Sequence, residues 1–170
     1  KNQSDFSIIN VYAQGYDIFQ STSEDSVLKT VSDLGYKHAV VFSTGTEFIN
    51  GDKFFNCIKS LIKKDFFLAG HVLDRKEAYY ELHDQCYVIN LQTYKDLNYP
   101  TVGQQELNSE HEQVLPNRSD DNIHDSHTPF WVNGGTITRM FKHKAHGWNI
   151  LSTAFANKKN VIVFGNNIRK

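Results

Sequence analysis

Short continuous apolar runs alternate along this chain with segments whose apolar residues return every three or four positions. The first run, Ile8-Ile9-Asn10-Val11-Tyr12, reads as a strand closed by the turn signal Gln14-Gly15. Val27, Leu28, Val31 and Leu34 then recur at helical intervals, Ser21 and Glu24 have capping-box spacing, and Gly35 stands where the helix stops. His38 to Ser43 is nearly all apolar, which predicts a central strand buried on both faces. Asp52 is placed to cap a helix whose stripe is Phe54, Phe55, Ile58, Leu61 and Ile62. Phe66 to Val72 and Cys86 to Asn90 predict two more strands, and Thr93 to Leu97 a short helix.

The pattern changes between Pro100 and Pro129, where Asn, Asp, Ser, Glu, Gln and His crowd together without a period. That stretch reads as a long irregular loop or a pair of short turns. Order resumes at Phe130-Trp131-Val132, turns at Asn133-Gly134-Gly135 and continues from Ile137 to Phe141. A helix from Gly147 or Trp148 to Ala156 and a strand from Val161 to Phe164 complete the chain. Alternating strands and helices predict an α/β fold, a single domain over residues 1–170. Its mixed sheet would have about five to seven strands, with helices on both faces and the long irregular loop after residue 100.

Composition narrows the function classes. A chain of 170 residues with 39% apolar and 22% charged residues can build one globular core. A net charge of −1 argues against a nucleic-acid partner. No apolar run approaches the roughly 20 residues of a membrane span, and the start at Lys1 lacks the pattern of a signal peptide. Cys57 and Cys86 fall within apolar patterns, so two buried free thiols are expected rather than a disulfide, which places the chain in a reducing cytoplasmic interior.

The densest candidate chemistry lies between Phe66 and Leu97. Gly70 permits close approach of the backbone, and His71, Asp74, Arg75, His83 and Asp84 put titratable groups at the ends of two expected strands. Strand ends are where α/β sheets usually hold ligands. His111, His124, Asp125 and His127 offer nitrogen and oxygen donors for zinc or iron, although a polar loop accounts for them as well.

The order of AVVFSTGTEF, DKFFNCIKSLI, FFLAGHVLD and HDQCYVINLQTYKDL resembles the second half of a GT-A-fold glycosyltransferase, the nucleotide-sugar-dependent class. KHKAHGWNIL is similar to the place where some members carry a metal-binding His. The resemblance implies sugar transfer from a nucleotide sugar to a glycan or small-molecule acceptor, with Glu47, His71, Asp74, Asp84 and His146 converging on one cleft. Glu47 and His146 would hold a divalent metal, Mn or Mg. Asp84 would act as base toward the acceptor hydroxyl, although it also reads as a turn carboxylate bonding a nearby backbone N–H. Asp74 is the second catalytic candidate, and with Arg75 it also reads as a ligand-orienting ion pair. His71, Arg75, Tyr80, Trp131 and Trp148 would contact substrate, although Trp131 and Trp148 also read as core and Tyr80 as part of an ordinary amphipathic edge.

Two departures open other readings. Thr44-Gly45-Thr46-Glu47 stands where the family carries Asp-x-Asp, which leaves a single carboxylate, and the family's nucleotide-binding βαβ units would precede Lys1. A non-catalytic binding or assembly module derived from the fold would fit, self-associating through Tyr79, Tyr80 and Trp131 as a homo-oligomer. A His-rich metal-dependent hydrolase using His111, His124 and His127 is the third reading.

Overall fold

A computed structural model describes residues 6–12, 15–21, 23–43, 46, 49–74, 80–107, 112–115, 123–125, 135–138 and 143–164. In chain order the elements are β1 (Phe6–Tyr12), β2 (Gly15–Ser21), α1 (Glu24–Asp33), β3 (His38–Ser43), α2 (Gly51–Leu61), β4 (Leu68–Asp74), β5 (Tyr80–Asn90) and α3 (Leu91–Asp96). They continue with β6 (Gln105–Leu107), β7 (Glu112–Leu115), β8 (Ile123–Asp125), β9 (Gly135–Thr138), β10 (His143–Ala145), α4 (Trp148–Ala156) and β11 (Val161–Val163).

A seven-stranded mixed sheet in the order β2-β1-β3-β5-β4-β11-β8 organises these elements. The pairs from β2 through β4 are antiparallel, and β11 runs parallel to both β4 and β8. It follows that β2, β3, β4, β11 and β8 point the same way, so their carboxyl ends share one edge of the sheet. β6 pairs with β10, and β7 with β9, as two separate small ribbons.

Side-chain alternation on the strands divides the core into two layers. Ala39, Val41, Leu68, Tyr87 and Ile89 face α1, α3 and α4, whose Leu28, Leu91, Ile150 and Leu151 are all buried. Val40, Ala69 and Val88 face the other way, onto Ile58 and Leu61 of α2. Among the described residues helices therefore cover both faces, three on one and one on the other. Burying each such Leu or Ile is worth about 1.5–3 kcal/mol relative to exposure, which is why these stripes, not the loops, decide where the helices lie.

The helix ends differ from the sequence expectation in instructive ways. Ser23, not Ser21, caps α1 by accepting from the Ser26 amide at 3.4 Å, and Asn50, not Asp52, caps α2 by accepting from Lys53 at 2.9 Å. The end of α1 agrees with expectation: Gly35 has φ +88°, its amide reaches Ser32 O at 3.0 Å and the Tyr36 amide reaches Val31 O at 3.4 Å, the paired bonds of a Schellman turn. Leu34 is exposed because it is the C-cap residue rather than part of the stripe. Cys57 is exposed on the flank of the α2 stripe, which corrects its expected burial, and both cysteines are free thiols.

β3 is an interior strand, as expected, while β5 takes the middle place. β5 is longer than expected, because the polar segment before Cys86 pairs with β4 as a hairpin. The stretch after Pro100 carries β6, β7 and β8, strands too short and too polar to show a period of their own. The expected strand Phe130–Val132 lies outside the described residues. No helix among the described residues is long and apolar enough to cross a membrane.

Candidate functional site

The carboxyl edge of the sheet is shaped by an irregularity between β4 and β5. Gly70 pairs with Tyr87 and Val72 with Leu82, so residues 83–86 bulge opposite His71 alone. Bulges bend a strand and re-aim its side chains. Here the bulge gathers His71, His83 and Asp84, with the His71 and His83 ring centroids 6.5 Å apart. Phe164, just past β11, lies against His71 with ring centroids 6.1 Å apart, and its amide donates to Gly70 O at 2.8 Å. Gly70 makes the closure possible, since a Cβ there would stand 2.9 Å from Tyr87 Cβ and 3.3 Å from Leu82 Cδ1.

The chemistry of this edge follows from its protons. Burial first, and then the neighbouring His83, lower the pKa of His71, while a hydrogen bond with the Phe164 backbone opposes them. His71 is thus held neutral near pH 7 and can accept a proton. The Gln85 amide donates to His83 Nδ1 at 3.1 Å, which puts the ring hydrogen of neutral His83 on Nε2. The 3.4 Å approach of Asp84 Oδ1 to the same Nδ1 is then a contact, not a hydrogen bond, and becomes an ion pair only when that nitrogen is protonated. The Asp84 side chain is 46% exposed, open to a ligand. Burial pushes the Cys86 thiol up to about 12, so it is no nucleophile at neutral pH.

A second polar cluster lies inside the α1–α4 layer. His146 and Glu24 are each 3% exposed, and Tyr87 is fully buried. His146 Nδ1 meets Leu82 O at 2.7 Å, and Nε2 meets Glu24 Oε2 at 2.9 Å. The Tyr87 hydroxyl donates to Glu24 Oε1 in a short hydrogen bond. A carbonyl only accepts, so Nδ1 carries a hydrogen; an ionised Glu24 also only accepts, so Nε2 carries one as well. Burial alone would lower the His146 pKa, but the hydrogen bond and charge of Glu24, helped by Leu82 O, raise it overall. Burial and Glu24 push the Tyr87 phenol well up, so it remains a donor. Nearby, Asp25 accepts from the Val102 amide at 2.6 Å and Val102 O accepts from the Gly147 amide at 2.7 Å.

Three of the five residues expected to converge on one cleft can be placed, His71, Asp84 and His146. His71 and Asp84 share the edge, whereas His146 is a core residue in the α1–α4 layer rather than a ligand at a site rim. A divalent cation does not fit His146: both its ring nitrogens are hydrogen-bonded to protein, and a metal would have to displace Glu24 or Leu82. Among the described residues no group of three or more His, Cys, Asp or Glu is arranged to hold a metal. Glu47, Arg75, Trp131, Tyr79, His111 and His127 lie outside the described residues, as do the side chains of Asp74 and His124. Tyr80 is 2% exposed and packs edge-to-face on Phe155, which removes it from a sugar-binding surface. Trp148 is half-buried at the first position of α4, entered through Gly147 at φ +68°.

Sequence reasoning assigned Glu24 to a capping box and so missed the buried cluster. One signal was available: extending the stripe Val27, Leu28, Val31 back by one turn puts Glu24 on the same apolar face. A carboxylate there needs a buried partner. Comparison of the chain with protein-family models, with curated proteins and with solved structures finds no match.

Proposed function

We propose that this chain is a glycosyltransferase-like domain that takes a nucleotide sugar at the carboxyl edge of its sheet. One observation carries the reading: the β4–β5 bulge gathers a neutral His71, His83 and an open Asp84 at the edge where α/β sheets usually hold ligands. Asp84 would face the acceptor hydroxyl and take its proton as that oxygen bonds to the sugar C1 and the bond from C1 to the diphosphate oxygen breaks, the nucleoside diphosphate leaving with the electron pair, while His71 and His83 orient the donor. Any divalent cation would draw its ligands from Glu47 and this edge, since His146 is committed elsewhere.

Calorimetric titration with uridine or guanosine diphosphate, with and without manganese, tests the reading. Saturable heat that Asp84→Asn leaves in place, together with loss of sugar transfer in that variant, is the expected result. Absence of heat with either nucleotide under both conditions refutes it. The engagement of both His146 nitrogens favours a second reading, a non-catalytic binding or assembly module. That reading predicts self-association in sedimentation and no sugar transfer.

A further inference from the structure

The bulge that carries His83 and Asp84 opposite His71 is bounded on β5 by Leu82 and Tyr87, and both are tied to the buried cluster. Leu82 is held twice by one residue: its amide donates to His146 O at 2.9 Å, and its carbonyl accepts from His146 Nδ1 at 2.7 Å. Tyr87 is held at its far end by Glu24, and Glu24 is also the partner of His146 Nε2. The His146 amide further donates to Glu81 Oε1 at 3.2 Å, on the residue before Leu82. Both ends of the bulge close onto Gly70, with no room for a Cβ between them and β4. Strand pairing holds Leu82 opposite Val72 and Tyr87 opposite Gly70 and Val41, and the cluster adds a further tie at each of these two ends of residues 83–86.

We propose that Glu24, His146 and Tyr87 form a positioning clamp for the candidate site, fixing the two ends of the bulge and through them the placement of His83 and Asp84 opposite His71. The inference rests on the reading of this edge as the site. It adds that three residues which touch no ligand determine the site's geometry. None of them contacts His71, which lies against Phe164 on the α2 layer, whereas the cluster lies in the α1–α4 layer. The mechanical connection is the backbone of β5, and the charge of Asp84 also acts on His146 through space.

The test is NMR of the ligand-free full chain, comparing wild type with Tyr87→Phe and Glu24→Gln, each of which keeps side-chain shape. Signals to follow are the Gln85 amide, whose bond to His83 Nδ1 reports the bulge, and the His71 and His83 rings. The His38 ring, stacked on Phe66 and paired across from Asn90 at the other end of β3, is the internal control. The clamp predicts that the Gln85, His83 and His71 signals shift in folded Tyr87→Phe, which removes no charge, as well as in Glu24→Gln, while His38 stays in place; shifts confined to Glu24→Gln would report the changed charge of His146 beside Asp84 and refute the clamp. A role confined to stability would lower the melting temperature and leave these folded-state signals unmoved. If they are unmoved in both variants while the Leu82 and His146 amides shift, the clamp is refuted. Because no ligand enters this measurement, a negative nucleotide titration would overturn the proposed substrate and leave the clamp standing.

Discussion

Removing the carboxylate of Glu24 should separate the charge of the buried pair from its hydrogen bonds. The side chains of His146 and Glu24 are 4% and 2% exposed, so solvent screens neither. Glu24→Ala leaves the Tyr87 hydroxyl and His146 Nε2 without their buried partner. Breaking a buried pair this way costs about 3–5 kcal/mol, a large share of the roughly 5–15 kcal/mol of a typical domain. Glu24→Gln differs in kind. Its amide oxygen can accept from Tyr87 and its amide nitrogen can donate to Nε2 of a neutral His146, which still donates from Nδ1 to Leu82 O. In wild type the raised His146 pKa gives stability that is full below the unfolded value of about 6.5 and is lost as pH rises through the folded value. In Glu24→Gln, burial acts without the carboxylate, the folded His146 pKa falls, and stability is lost as pH drops below about 6.5. Asp25 of α1 and Glu81 and Asp84 of β5 remain nearby in both proteins. The gap between wild type and Glu24→Gln should therefore widen as pH falls from 8 toward 6, by at most about 1.4 kcal/mol per pH unit. Urea midpoints across that range provide the assay, where Glu24→Ala should shift the midpoint by about 1–2 M. A gap that stays flat between pH 8 and pH 6 would refute the reasoning, as would Glu24→Ala costing no more than Glu24→Gln.

Gly147→Ala should destabilise by about 2–4 kcal/mol, since it puts a side chain at φ +68° and overlaps the Cβ of Leu82; a urea midpoint within error of wild type would contradict the tight entry into α4. Gly70→Ala, with its new Cβ 2.9 Å from Tyr87 Cβ, should cost about 1–3 kcal/mol in the same assay. Asn50→Ala should lower stability by about 1 kcal/mol and Asp52→Ala by clearly less, which distinguishes the observed cap of α2 from the one its sequence suggests. In the native protein Cys57 should react promptly with a thiol reagent while Cys86 reacts only on unfolding; equal rates would contradict the placement of β5.

Much of the architecture was legible in the chain. The α/β class, helices on both faces, the interior strand His38–Ser43, the stop at Gly35 and the helix after Gly147 all follow from local pattern. Each rests on interactions within a few residues: the period of an apolar stripe, or a glycine free to take positive φ. Neither Tyr80–Gln85 nor the short strands after Pro100 could be read so, because their strand character comes from partners supplied by other segments. β-structure depends on such context more than helix does.

The candidate site divides along the same line. The sequence alone located His71, His83 and Asp84 near strand ends, because the glycine, the titratable residues and the apolar runs all lie within one segment. It could not show that a bulge brings them together, since the bulge exists only in the register of β5 against β4. Nor could it pair Glu24 with His146, 122 positions away. Read locally, Glu24 begins a helix and His146 precedes a glycine. Only when the apolar faces of α1 and α4 are buried on the same layer of the sheet do a carboxylate and an imidazole lose water together, and the cost of leaving either unpaired joins them.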